Sequence, residues 1–247
     1  MDVRFLMTPP NLFTCKRILC IQPHPDDNEL GMGATVAKLA ARGCEVSYLT
    51  VTNGDLGGGK LSRAETARIR SEELVAAGKT LGVTDFHALG YPDGSLEAVN
   101  PLAADICGVL RKVRPQAVFC PDPWLPYEAH ADHRITGLAV SKAIMSCGLL
   151  HYETPEPSEP CEIEMVGYYF TDRPNMTVDV SGLLPLKFEA VSRHVSQMGG
   201  GTLDMFRTYF TAKAEELGHA MGFEAGEGFK LLRPLHLHCF VDTDKVR

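Results

Sequence analysis

The sequence predicts an α/β domain on a mostly parallel, doubly wound sheet, with helices on both faces and a metal site at the C-terminal ends of strands one and four. Three observations carry this. Apolar runs of strand length alternate with amphipathic stretches of helix length along most of the 247 residues. The runs suit a parallel sheet covered on both faces. Two clusters of imidazoles and carboxylates follow the first and fourth runs, where such a sheet opens a crevice.

Taken in order, residues 17–22 (Arg-Ile-Leu-Cys-Ile-Gln) read as a first strand, and residues 30–42 as a helix closed by Arg42-Gly43 in the usual cation-then-glycine manner. Cys44 to Thr52 is the second strand. A glycine-rich loop, Asn53 to Gly59, forms a rim of the site and leads into a helix over Arg63–Thr80, stopped by Leu81-Gly82. A short strand covers Asp85–Leu89, and Tyr91-Pro92-Asp93-Gly94 is a turn. The next helix spans Pro101–Val113, with a proline near its start and Pro115 beyond its end. Strand four is 116–121, and its loop delivers the second cluster onto a helix over 132–147. Residues 150–162, rich in Pro, Glu, Ser and Thr, are a surface loop. Strands over 163–171 and 175–180, helices over 184–197 and 203–219 and a last strand near 235–240 complete one domain, 1–247. The strand order 3-2-1-4-5 places strands one and four side by side, so the two clusters share one crevice.

Composition narrows the function. Apolar residues are 45% and charged ones 22%, ordinary globular usage. The net charge of −7, without a basic block, argues against nucleic acid and favours a neutral or cationic small molecule. Eight scattered cysteines with no Cys-x-x-Cys pair read as buried small hydrophobes in a reducing compartment. No run approaches membrane-spanning length and the first residues lack a secretory pattern, so the expected location is the cytoplasm.

The first cluster, Pro23-His24-Pro25-Asp26-Asp27-Asn28-Glu29, sets three carboxylates and an imidazole side by side. Unpaired, these carboxylates repel one another, so a cation accounts for their grouping. The second cluster is His130-Ala131-Asp132-His133. An N-cap with a surface histidine would explain either cluster alone, but not both at these two strand ends. His24, Asp27 and His133 form a set of two imidazoles and one carboxylate, which holds zinc and leaves room for water and substrate. Asp26 is then free to act as general base, and His130 to face a developing oxyanion. Asp132 is expected to orient the His130 ring. Together these are the parts of a metal-assisted amide or ester hydrolysis.

With these residues in hand, the sequence resembles the LmbE-like, or PIG-L, N-acetylglucosaminyl deacetylases, which include enzymes of the bacillithiol and mycothiol pathways. The resemblance rests on residues 23–33, Thr52-Asn53-Gly54-Asp55, Arg70-Ser71-Glu72-Glu73, Pro92-Asp93-Gly94 and His130-Ala131-Asp132-His133, and extends to Arg173-Pro174-Asn175, Val178-Asp179-Val180 and Ser196-Gln197. It implies a Rossmann-like fold, zinc on His24, Asp27 and His133, Asp26 as base and His130 on the oxyanion. It places Arg70 and Asp93 near the amino sugar, where a guanidinium fork opposite a carboxylate suits vicinal hydroxyls. A homo-oligomer, trimer or hexamer, is implied as well. Asn28 stands where many members have Glu, and Ala131 where many have Pro. His194 falls where some relatives carry a residue lining the site, though a buried helix histidine is an equal reading.

Other readings use the same residues. A zinc hydratase or a non-sugar amidohydrolase fits the fold and metal. Two histidines and a carboxylate also hold ferrous iron in oxygenases. A nucleotide-binding module is suggested by Gly31-Met32-Gly33, but Val36 stands where the third glycine belongs and carboxylates sit where a pyrophosphate needs bare amides.

Overall fold

A computed structural model describes residues 7–246. Its strands are β1 (Arg17–Gln22), β2 (Glu45–Thr52), β3 (Asp85–Tyr91), β4 (Ala117–Pro121), β5 (Met165–Tyr169), β6 (Met176–Asp179) and β7 (Gly226–Leu232). The helices are α1 (Asp27–Ala41), α2 (Arg63–Thr80), α3 (Val99–Val113), α4 (Ala131–Ser146), α5 (Leu184–Val191) and α6 (Thr202–His219). The sheet order is β3-β2-β1-β4-β5-β7-β6. The expected 3-2-1-4-5 arrangement forms its parallel part, and β7 runs antiparallel between β5 and β6.

Strand alternation divides the core between two faces. Ile18, Cys20, Val46, Tyr48 and Phe119 point to one, under α1, α2 and α5. Leu19, Ile21, Leu49, Val51, Val118 and Cys120 point to the other, under α3 and α4. All eleven are fully buried, each apolar side chain contributing about 1.5–3 kcal/mol of transfer free energy. The ladder between β1 and β2 continues to Gln22 opposite Thr50, whereas that between β1 and β4 stops at Cys20 opposite Phe119. The two strands part there, and the crevice opens at their carboxyl ends.

Helix α1 is broken at Met32, whose φ of −150° and ψ of 18° leave the helical region between Gly31 and Gly33. A Cβ at Gly31 would stand 2.5 Å from Cδ2 of Tyr169, so the glycine lets β5 approach the helix. The amides of Ala34 and Thr35 donate to the Glu227 carboxylate at 3.3 and 2.7 Å, restarting the helix from a β7 side chain. Lys187 of α5 closes this buried group with a 2.7 Å contact to Glu227. Helix α2 begins with a capping box between Ser62 and Glu65, a device worth about 1 kcal/mol.

Two expectations fail. The last strand is Gly226–Leu232, and the segment near 235–240 expected to be extended begins within a 3-10 turn, Pro234–Leu237. Glu227 and Lys230 hide β7 from a pattern search, yet both are buried: Glu227 on Lys187, Lys230 on the carbonyls of Asp244 and Val246. Helix α5 ends at Val191 rather than 197. The Ser192 hydroxyl donates to the Glu189 carbonyl, and Gln197 and Met198 then turn back onto the His194 carbonyl. Seven cysteines are buried as expected, and Cys239 is exposed. The 150–162 loop is pinned by the buried Arg111 guanidinium, which donates to the carbonyls of Tyr152 and Ser158. No described helix is long and apolar enough to cross a membrane.

Candidate metal centre and active site

The chain leaves β1 through a turn that is fixed before any side-chain chemistry begins. Thr52 of β2 donates its amide and hydroxyl to the Pro23 carbonyl, at 2.9 and 2.8 Å. Gln22 accepts from the Asn28 amide at 2.8 Å, and the Asn28 side chain reaches the Cys20 carbonyl. The His24 amide donates to Asp27 Oδ2 at 2.9 Å, so the carboxylate that opens α1 also ties the turn. His133 arrives from the first turn of α4, across the crevice.

These residues converge. His24 Nδ1 lies 3.3 Å from Asp27 Oδ2, and His133 Nε2 lies 3.3 Å from Asp27 Oδ1. Two donors of a tetrahedral zinc site with bonds of about 2.1 Å stand roughly 3.4 Å apart. The spacing therefore fits one divalent ion among His24, Asp27 and His133, whose donor atoms all lie within 4.8 Å of one another. A second group, His24, Asp93, His130 and Asp132, meets the same limit and shares His24.

The two groups use different edges of the His24 ring. Nδ1 faces Asp27, while Nε2 faces Asp132 Oδ2 and Asp93 Oδ1, each at 3.3 Å. Asp132 is further held by the amides of Gly94 at 2.8 Å and Leu96 at 3.3 Å. This corrects the expectation that Asp132 orients His130. His130 is the N-cap of α4 and Asp132 lies two residues on. Side chains so spaced on a helix diverge, and Asp132 turns inward to His24 and to the loop after β3.

Burial alone would lower the His24 pKa, but hydrogen bonds to Asp132, Asp27 and Asp93 overcome it and push it up to about 12. For His133 burial again works downward, and the charge of Asp27 with its hydrogen bond produces a net rise. Asp27 is driven well below the usual carboxylate range, because the two imidazoles outweigh the upward effect of its burial. The Asp26 pKa is raised to about 6 by burial and by the adjacent Asp27 charge, against the opposing charges of Arg70, His194 and His24. His130 is pushed down by burial and by repulsion from His24 and His133, which keeps its ring neutral near pH 7. Its centroid is 4.5 Å from that of His24 and 5.2 Å from that of His133.

Arg70 and Asp93 do not form the open fork expected for sugar hydroxyls. Arg70 is buried and donates to the carbonyls of Gly54 and Pro25 and to Asp26 Oδ2, at 2.9, 3.2 and 3.2 Å. Its nearest approach to Asp93 is 4.0 Å. Asp93 accepts from the Leu56 amide with the oxygen that does not face His24. Arg70 thus sets the position of Asp26, and Asp93 that of His24.

Sequence reasoning gives no role to two supports, Glu128 and Asp55, and leaves that of His194 open. Glu128 Oε2 lies 3.3 Å from His133 Nδ1, backing that ring as Asp93 and Asp132 back His24. Asp55 accepts from the Asp93 amide at 3.0 Å while held by Arg63 at 2.7 Å. Glu29 and His194 meet at 3.4 Å with no exposed surface, which resolves the open reading of His194 toward a buried residue paired with Glu29. Glu128 lies five residues before a candidate ligand, the one hint to its role; Asp55 stands in the Thr52-Asn53-Gly54-Asp55 motif, which does not show what it holds. A cavity of about 510 Å³ opens over Asp27 and His133, walled by Phe170, Lys187, Phe210 and Glu227.

The chain is similar to known proteins along most of its length. The profile of PIG-L, described as GlcNAc-PI de-N-acetylase, matches residues 19–144. Diacetylchitobiose deacetylase of Thermococcus kodakarensis is 37% identical over 228 residues, 90% of this chain and 85% of that protein. The structure of N,N'-diacetylchitobiose deacetylase from Pyrococcus horikoshii with its inhibitor MPG aligns at a TM-score of 0.88 and 34% identity, over 97% of this chain and 94% of the other. GalB, the 4-carboxy-2-hydroxymuconate hydratase of Pseudomonas putida, shares the fold at a TM-score of 0.72 and 19% identity, over 87% and 95% of the two chains. This chain belongs to the PIG-L family.

Proposed function

We propose that the protein is a zinc-dependent hydrolase that removes the acetyl group from an N-acetylglucosamine-type sugar or glycoconjugate. The observation that supports it most is the convergence of His24, Asp27 and His133 beside an Asp26 carboxyl seated on Arg70. Two imidazoles and one carboxylate suit zinc and leave coordination positions for water and an acetamide oxygen. A zinc ion held there would supply Lewis acidity and lower the pKa of water to near 7. Asp26 takes the proton of the attacking water and returns it to the departing amide nitrogen. His130, neutral and at the mouth of the site, donates a ring N–H to the oxygen of the tetrahedral centre. Asp132 and Asp93 hold His24, and Arg70 holds Asp26, so these three act by positioning. The diacetylchitobiose deacetylases cited above support a neutral amino-sugar substrate. A cytoplasmic homo-oligomer, trimer or hexamer, belongs to the same proposal; light scattering on the purified protein reads the assembly.

The test is acetate release from N-acetylglucosamine, N,N'-diacetylchitobiose and acetylated amino acids, with metal content measured on the same preparation. Release from the sugars, proportional to zinc, is expected. Release confined to the amino acids, or undiminished after complete metal removal, refutes the reading.

A further inference from the structure

Beside the catalytic cavity lies a second one, of about 400 Å³, which the chemistry above does not use. The two share Asp172 as a wall residue, and Leu125 of the first follows Trp124 of the second, so they adjoin. Trp124 is the only tryptophan in the chain and is 57% exposed. Its ring meets the buried Tyr168 edge-on at 5.4 Å, and the Tyr168 hydroxyl is fixed by Ser141 at 2.7 Å. The loop beneath it is equally fixed: Asp122 accepts from the Trp124 amide at 2.9 Å and donates its own amide to the Tyr169 carbonyl at 2.9 Å. An exposed indole with a prearranged plane is a surface for an apolar ring face.

The remaining walls select among ligands. Leu232 and Leu237 are apolar, while Asp122, Asp172 and Asp244 bring three carboxylates. Lys230 is engaged by the carbonyls of Asp244 and Val246, and Arg173 lies 3.9 Å from Asp172. Anionic ligands are disfavoured by that balance. A neutral pyranose fits it: its C–H face lies on the indole, and its hydroxyls donate to carboxylates and accept from the guanidinium.

We propose that this cavity is a second sugar subsite, in which Trp124 carries a neutral pyranose of the glycan beyond the unit being deacetylated. The inference rests on the deacetylase reading for its choice of glycan, and the indole itself supplies a readout free of turnover. With an Asp26→Asn background to preserve the probes, Trp124 fluorescence should shift saturably with N,N',N''-triacetylchitotriose and remain unchanged with N-acetylglucosamine at equal concentration. In the otherwise native enzyme, Trp124→Ala should raise the KM for the trisaccharide ~3–10-fold, the range of an aromatic contact. Turnover of N-acetylglucosamine should stay within about 2-fold, and Trp124→Phe should restore most of the loss, as expected for a stacking surface. A thermal melt on each variant confirms folding.

Deacetylation of sugars with no fluorescence response, or with equal losses on long and short substrates in Trp124→Ala, overturns the subsite and leaves the proposed function standing. A saturable response to the trisaccharide in a protein that releases no acetate supports the subsite and defeats the proposed function. A shift produced by tetramethylammonium or acetate but not by the trisaccharide also overturns it.

Discussion

Replacing Asp132 with Asn separates the two roles that this residue can have. Asp132 Oδ2 serves the Gly94 amide at 2.8 Å and His24 Nε2 at 3.3 Å, and Oδ1 serves the Leu96 amide at 3.3 Å. An amide side chain offers one acceptor oxygen and two donors, so at least one of these buried N–H groups loses its acceptor. One orphaned buried donor costs ~1–3 kcal/mol, which at about 2–4 °C per kcal/mol lowers the melting temperature of a chain this size by roughly 2–12 °C. Removing the carboxylate behind a ligating histidine weakens metal binding ~10–100-fold, about 1.4–2.7 kcal/mol. Both effects are measurable by calorimetry of the metal-free protein and by chelator competition for zinc. Were Asp132 a partner of His130 instead, the variant would bind zinc normally and lose turnover alone. Wild-type zinc affinity in folded Asp132→Asn therefore refutes the assignment to His24.

Other outcomes follow from the same contacts. Ala at His24, Asp27 or His133 should abolish stoichiometric zinc; full occupancy of His133→Ala by elemental analysis would remove that residue from the ligand set. Metal-loaded Asp26→Asn should lose turnover by ~10²–10⁴ and His130→Ala by ~10²–10³, and near-native rates in either would reassign its role. Because the carboxylates raise the His24 and His133 pKa values against the effect of burial, metal must displace protons. Affinity should weaken as pH falls, with about one to two protons released at neutrality; identical binding heats in buffers of different ionisation enthalpy would contradict this. Gly31→Ala would place a Cβ 2.5 Å from the Tyr169 ring and should destabilise by ~1–3 kcal/mol, read as a lower denaturation midpoint; an unchanged midpoint would show that the ring yields freely.

What was legible in the sequence was what is local. Strands β1, β2 and β4 announce themselves because both their faces are apolar, and His24, Asp27 and His133 because each lies just beyond a strand end. Strand β7 was invisible, since its charged residues are neutralised by partners at distant positions, Lys187 among them. The sequence offers His130 as the neighbour of Asp132, whereas helical geometry turns Asp132 toward a histidine 108 residues earlier. Arg70 and Asp93 read from the sequence as outward, sugar-facing groups, because no local pattern reveals that Gly54, Pro25 and Leu56 already meet them. The Glu29–His194 pair joins residues from α1 and the turn after α5, and only the packed structure brings them together.

The charges at the centre show why such a cluster can fold without its ion and still demand one. Asp26, Asp27, Asp93 and Asp132 meet there, with the permanent cation Arg70 against Asp26 and Asp93. Four carboxylates so placed repel one another strongly in a buried environment. Within the protein the repulsion is opposed by His24 and His133, whose basicity those carboxylates raise. A divalent ion would take the place of the protons those rings carry and convert one nitrogen of each from donor to ligand. Positive charge would then face Asp27 in either state, and Asp27 stays ionised. The same balance explains why Asp93 and Asp132 lie on the far edge of His24: there they hold the ring in place in either state, without competing with Asp27 for the ion.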